Sequence, residues 1–360
     1  MRSHLFALAC AVALLGIALP LVWFATASQA RAPITAAPQA NGDGPEGYKV
    51  SGPYTHKNLT VFLLHAKEKE KAAAAGTKTF MTLSEALVSK KVVVYETKSV
   101  NELAIENVSD EEVFVQSGDI VKGGQQDRMI GVDLIVPARS GKIKIAAFCV
   151  EQGRWTKRGG EDATKFTTST DRAATRELKL AANKSRSQGE VWEKVAKAQS
   201  KLGANVGGSV AAPASASSYQ LSMENERVRA TTQEYIKAFA GIVERHPDAV
   251  GYAFSINGQL NSADVYSSPA LFRKLWPGLL KSSAVEALAE LQPGKPHAAT
   301  KTEEVRAFIT ESEGGAATER AVTTRVRMTT RETKTNILFE TRDHHPRRKG
   351  GWVHKSYVKK

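Results

Sequence analysis

Residues 92–149, VVVYETKSVNELAIENVSDEEVFVQSGDIVKGGQQDRMIGVDLIVPARSGKIKIAAFC, decide the fold. Short apolar runs (VVVYE, LAIENV, EVFVQ, DIVKG, DLIVPA, KIKIAAFC) follow one another, separated by Ser-Asp, Ser-Gly-Asp, Gly-Gly and Ser-Gly steps. Those steps bend a chain cheaply, through glycine's freedom at positive φ and through the short side chains that bond their own backbone. The gaps are too short for crossover helices, so neighbouring runs must pair antiparallel. The spacing predicts a sandwich or barrel-like sheet and excludes βαβ units.

Outward from this stretch the character changes. Upstream, Asn58–Leu64 (NLTVFLL) is another strand, so the β-rich part is read as 48–168. A helical part follows over 169–292. In it Ser187-x-x-Glu190 has the pattern of a capping box, and Ser268-Pro269 the pattern of a helix start. Pro277 is expected to kink or restart that helix. Within this part 203–218 (GANVGGSVAAPASASS) reads as a mobile connector. The segment 249–266 reads as a hairpin, because Asn257-Gly258 suits a type I′ turn. Residues 293–360 supply a short helix and a basic β-meander. The fold class expected is therefore α+β, with a β-rich N-terminal part, a helical middle with one hairpin, and a C-terminal meander.

The N-terminus has its own pattern. Arg2 and His4 precede an apolar run from Leu5 to Phe24, and Ser28-Gln29-Ala30 gives a small-residue exit. A basic start, an apolar centre and such an exit mark a secretory signal over 1–30, with an uncleaved anchor at 5–24 as the alternative. Residues 31–47 (RAPITAAPQANGDGPEG) read as a flexible leader. The expected location is extracytoplasmic. Cleavage removes one arginine, taking the formal charge from +13 to +12. It also leaves Cys149 as the one cysteine, so neither an intrachain disulfide nor a thiolate metal cluster can hold the fold.

Two segments hold the candidate chemistry. In GDIVKGGQQDR, Gln125, Gln126, Asp127 and Arg128 present donors, acceptors and both charges in a row, and Arg128 could grip a phosphate or carboxylate bidentately. In CVEQGRW, Glu151, Arg154 and Trp155 follow Cys149. Period-2 alternation sets Cys149 with Ile143 and Ile145, as a small buried hydrophobe. The bland readings are a polar turn for the first segment and a structural Glu151–Arg154 ion pair for the second. His344, His345 and His354 do not have the spacing of a metal site, and no metal or cofactor is expected. No P-loop, HExxH or GxSxG is present. Arg342, Arg347, Arg348, Lys349, Lys355, Lys359 and Lys360 face one aspartate in the last nineteen residues and could dock on an anionic surface.

Several segments in order carry a resemblance: NLTVFLL, LSEAL, VVVYE, VQSGDIVKGGQQDR, CVEQGRW, SQGEVW and LFRKLWPGLL. Together they resemble the ARG and Rhodanese-Phosphatase-superfamily-associated protein domain, a bacterial family of unknown function. The resemblance covers roughly Tyr48 to Leu291, with the meander to Tyr357 as its outer limit. Its name implies a context beside ADP-ribosylglycohydrolases and rhodanese- or phosphatase-type proteins, but supplies no catalytic residues. Two functional readings follow. One is a non-enzymatic domain that binds a small polar ligand or a protein through Gln125, Gln126, Arg128, Arg154 and Trp155. The other is a hydrolase of phosphate- or ribose-containing substrates, with Asp127 or Glu151 as general base.

Overall fold

Antiparallel pairing governs the computed structural model, which describes residues 47–68, 80–172, 175–345 and 350–360. The segments expected as secretion signal (1–30) and leader up to residue 46 lie outside the described residues, as do Arg347, Arg348 and Lys349. The chain is an α+β fold built on a closed six-stranded barrel, an eight-stranded sheet and a small three-stranded sheet.

The barrel grows from the deciding stretch. Its strands are β4 (Val92–Ser99), β5 (Glu102–Asn107), β7 (Asp119–Gly123), β8 (Arg128–Ile130), β10 (Gly141–Cys149) and β11 (Lys165–Arg172), in the closed order β10-β5-β4-β11-β7-β8. Closure depends on the length of β10, which pairs with β5 over 141–146 and with β8 over 147–149. Alternation places Val92, Val94, Leu103, Ile105, Val121, Ile130, Ile145, Ala147 and Phe166 in one buried cluster inside. Two runs of the stretch leave the barrel. β6 (Val113–Val115) and β9 (Leu134–Val136) join β3 (Met81–Thr82) in the small sheet, beside α1 (Leu83–Val88).

β1 (Tyr48–His56) and β2 (Leu59–Ala66) form a hairpin that pairs with β12 (Ala249–Ile256). The segment read as 48–168 is thus shared among the barrel and both sheets. The eight-stranded sheet continues through β13 (Gln259–Tyr266), β17 (Gly351–Lys359), β16 (Asn336–Asp343), β15 (Val326–Glu332) and β14 (Ala316–Ala321). Every residue of β12 is buried, because both sheet faces are covered. The hairpin turn has Asn257 at φ 53° and Gly258 at φ 72°, as a type I′ turn requires. The C-terminal meander has four strands, β14 to β17. Val322 and Thr323 both donate to the Val326 carbonyl, which forms the turn between β14 and β15.

The helices are α2 (Arg176–Leu180), α3 (Gln188–Asn205), α4 (Tyr219–Glu224), α5 (Glu226–Phe239), α6 (Pro269–Ala289) and α7 (Thr302–Glu313), with a π-turn at Ala181–Ser185. Ser187 and Ser268 cap α3 and α6 as their positions predict. α6 runs as one helix through Pro277, so the helix does not restart there. An interior proline costs about 3 kcal/mol, and burial of Leu271, Phe272, Leu275, Trp276, Leu279 and Leu280 against the sheet outweighs it at about 1.5–3 kcal/mol per side chain. Residues 203–218, read above as a mobile connector, are held at several points. Gly208 N–H donates to the Gly203 carbonyl, Val210 is buried, and Ser217 Oγ donates to the Gln152 carbonyl at 2.5 Å.

Candidate functional site

The GGQQDR and CVEQGRW segments meet at one end of the barrel, where Cys149 pairs with Arg128 and the Asp127 N–H reaches Glu151. Arg128 shares parity with Ile130, so its side chain enters the barrel and is fully buried. There it donates to the Val100 carbonyl at 2.8 Å, lies 3.3 Å from both Glu96 carboxylate oxygens, and touches the Cys149 sulfur. Trp155, 44% exposed, stacks over this guanidinium at 5.9 Å. Burial pushes the Cys149 thiol up to about 11, and the Arg128 charge offsets this only in part. A thiol so raised is not a nucleophile at neutral pH. Gly124 has to be glycine: its φ is 57°, and a Cβ there would lie 2.4 Å from the Phe166 ring.

Just beyond the ends of β8 and β10, Asp127 and Glu151 are fully buried and fully engaged. Arg158 donates to Asp127 Oδ2 at 2.9 Å and to Oδ1 at 3.0 Å; Ser218 Oγ and the Gly123 N–H complete the set at 3.0 and 3.1 Å. Arg154 takes Glu151 bidentately, at 2.7 Å to each oxygen, and the Asp127 N–H donates to Glu151 Oε2 at 3.0 Å. Burial would raise the Glu151 pKa. Hydrogen bonds from Arg154, Ser215 and the Asp127 N–H reverse the sign and hold it below its ordinary value. Gln125 contributes its N–H to Glu96 Oε2 at 3.3 Å, whereas Gln126 is fully buried with neither amide atom hydrogen-bonded. Arg158, Glu96 and Ser218 were invisible as members of this corner.

The basic C-terminus is a central strand. Lys355 is buried over the Trp352 ring and pairs with Glu313 at 3.2 Å, Arg342 pairs with Glu340, and Lys360 pairs with Glu332 at 2.9 Å. Lys359 lies over Phe308.

A second polar cluster, which the sequence reading did not nominate, sits between the small sheet, α2 and the eight-stranded sheet. His354, from β17, donates through Nδ1 to Asp133 Oδ2 at 2.6 Å and through Nε2 to Asp264 Oδ1 at 3.2 Å. Lys179, from α2, donates to Asp264 Oδ2 at 2.8 Å. Thr341 Oγ1 and the Ser117 N–H donate to Asp133 at 2.8 and 2.7 Å. The Tyr266 ring stacks on His354 at 4.6 Å, and its hydroxyl is 2.8 Å from Gln116 Nε2. The cavity among these residues is about 20 Å³, room for a single water. Burial would lower the His354 pKa, but the Asp133 charge and hydrogen bonds to Asp133 and Asp264 lift it to about 9. At neutral pH the ring is an imidazolium with both N–H groups committed, so it holds no lone pair for base catalysis. Among the described residues no group of three or more His, Cys, Asp or Glu is placed to hold a metal. A signal was present in the sequence: Asp264 and His354 fall within strands and Asp133 directly before the apolar run Leu134–Val136, and a charge in such a place must have a partner.

The raised His354 pKa gives stability a pH dependence. The contribution is full below the unfolded value of about 6.5 and is lost as pH rises through about 9. The loss between pH 6 and 10 should reach about 3 kcal/mol. Urea denaturation across that range should show the fall, and His354→Gln should flatten it. A wild-type profile that stays level would contradict an imidazolium at this position.

No curated protein and no solved structure matches this chain. Among known families, the match spans residues 47–358, which takes in both sheets, the barrel and both polar clusters. On that match the chain belongs to the ARG and Rhodanese-Phosphatase-superfamily-associated Protein domain family.

Proposed function

We propose that this chain is an exported domain that binds a small anionic ligand and performs no reaction of its own. One observation carries the reading: all four oxygens of Asp127 and Glu151, the carboxylates best placed in sequence for acid–base work, are engaged by arginines, a serine and backbone N–H groups. A general base needs a free lone pair within reach of a substrate proton, and the hydrolase reading has no candidate that offers one. The net charge of +13 favours anionic partners. The basic start, apolar run and small-residue exit of residues 1–30 support export.

The test uses the purified full-length and mature chains against nucleotides, ADP-ribose conjugates, phosphoesters, sugar phosphates and anionic lipid vesicles. The expected result is saturable binding of at least one anionic class with no product released. Turnover that Asp127→Asn abolishes without unfolding the chain would restore the hydrolase. Cell fractionation checks export. A chain outside the cytoplasm beginning near residue 31 supports it, and a cytoplasmic chain retaining Met1 removes it.

A further inference from the structure

Between the outer wall of the barrel and the edge of the eight-stranded sheet lies a cavity of about 120 Å³. Asn101, Val132 and Phe148 line it from the barrel side, Ala182 and Arg186 from the π-turn, and Arg320 from β14. One water needs only about 10–15 Å³ by this measure, so the space takes a tetrahedral oxyanion and the first atoms of what it is attached to. Neither arginine has a carboxylate partner among the described residues. The acids flanking them are committed elsewhere: Glu319 to Arg327 at 2.8 Å, and Glu332 to Lys184 at 2.7 Å. Arg320 is half-buried, and burial together with the Arg186 charge lowers its pKa. Two guanidiniums brought together without a counter-charge repel, and an anion between them removes the repulsion. The backbone is unusual at the same place. Arg186 is left-handed (φ 52°) and closes the π-turn by donating its N–H to the Ala181 carbonyl. Both π-turns and left-handed non-glycine residues concentrate where ligands bind.

We propose that Arg186 and Arg320 form an anion pocket for a phosphomonoester, with the phosphate between the guanidiniums and the esterified group toward Phe148. Guanidinium forks match phosphate oxygens bidentately, which favours this class over a halide or a bulky polyanion. The proposal rests on the binding reading above and gives that reading a site.

Inorganic phosphate and phenyl phosphate are the probes, titrated calorimetrically into the full chain at low salt. Both should bind, phenyl phosphate the more tightly, and Arg186→Gln and Arg320→Gln should each weaken binding by at least about tenfold, the loss of one charge-assisted pair. Without ligand, Arg320→Gln should melt at or above the wild-type temperature, because it relieves repulsion; a purely structural arginine would lower it. Failure of both probes to bind, or equal affinity in wild type and both variants, overturns the pocket. Release of phenol from phenyl phosphate would instead overturn the non-enzymatic reading and leave the pocket standing, so the two failures are distinct.

Discussion

Asp264→Asn should destabilise the chain by about 3–5 kcal/mol, the usual cost of removing one partner from a buried ion pair. Asp264 is fully buried and receives the Lys179 ammonium at 2.8 Å and His354 Nε2 at 3.2 Å. Its pKa is held far below the ordinary carboxylate value. Burial pushes it upward, and the Lys179 charge with the His354 hydrogen bond and charge overwhelm that push. An amide leaves the Lys179 ammonium and the His354 imidazolium without the carboxylate they share, and Asp133 remains only on the Nδ1 side of the ring. The loss is comparable to the whole stability of many domains, about 5–15 kcal/mol, so much of the variant should be unfolded at 37 °C. Combining Asp264→Asn with Lys179→Met should recover part of the loss, since one stranded charge goes with its partner. Denaturant titration of both variants measures this. A single variant with a wild-type midpoint would show that the cluster bears little of the fold.

Local chemistry was readable and long-range partnership was not. The barrel strands β4, β5, β7 and β10 stand where alternation and turn residues put them, and Cys149 faces inward as period 2 requires. The pairing of β2 with β12 joins residues near 60 to residues near 253, and nothing in NLTVFLL names its neighbour. A run buried on both faces carries no alternation to fix its place. Departure of β6 and β9 from the barrel was hidden for the same reason: EVFVQ and DLIVPA are as apolar as the runs that stayed. At the candidate site, the meeting of the segments around 127 and 151 was expected. Their engagement by Arg158 and Ser218 was not, since Ser218 lies 91 residues from Asp127. The His354 cluster spans 221 positions between His354 and Asp133. Only the rule that an embedded charge needs a partner pointed to it.

A division of labour follows from these placements. Charges that break apolar strands are matched in closed networks and hold the barrel, helices and sheet together. Arg186 and Arg320, with no carboxylate partner among the described residues, stand on an open cavity. Residues that look catalytic in sequence, Asp127 and Glu151 first among them, fall in the former group.

Asp127→Asn tests that claim most directly, by equilibrium denaturation with Arg158→Met and the double variant alongside. Asp127 accepts two hydrogen bonds from Arg158 and one each from Ser218 and Gly123, all in a buried corner. Structural use of the carboxylate predicts a loss of about 3–5 kcal/mol, with a coupling to Arg158 of at least about 1 kcal/mol. An Asp127→Asn variant as stable as wild type, with no coupling to Arg158, would mean that this carboxylate is free for other work and that the account is wrong at its centre.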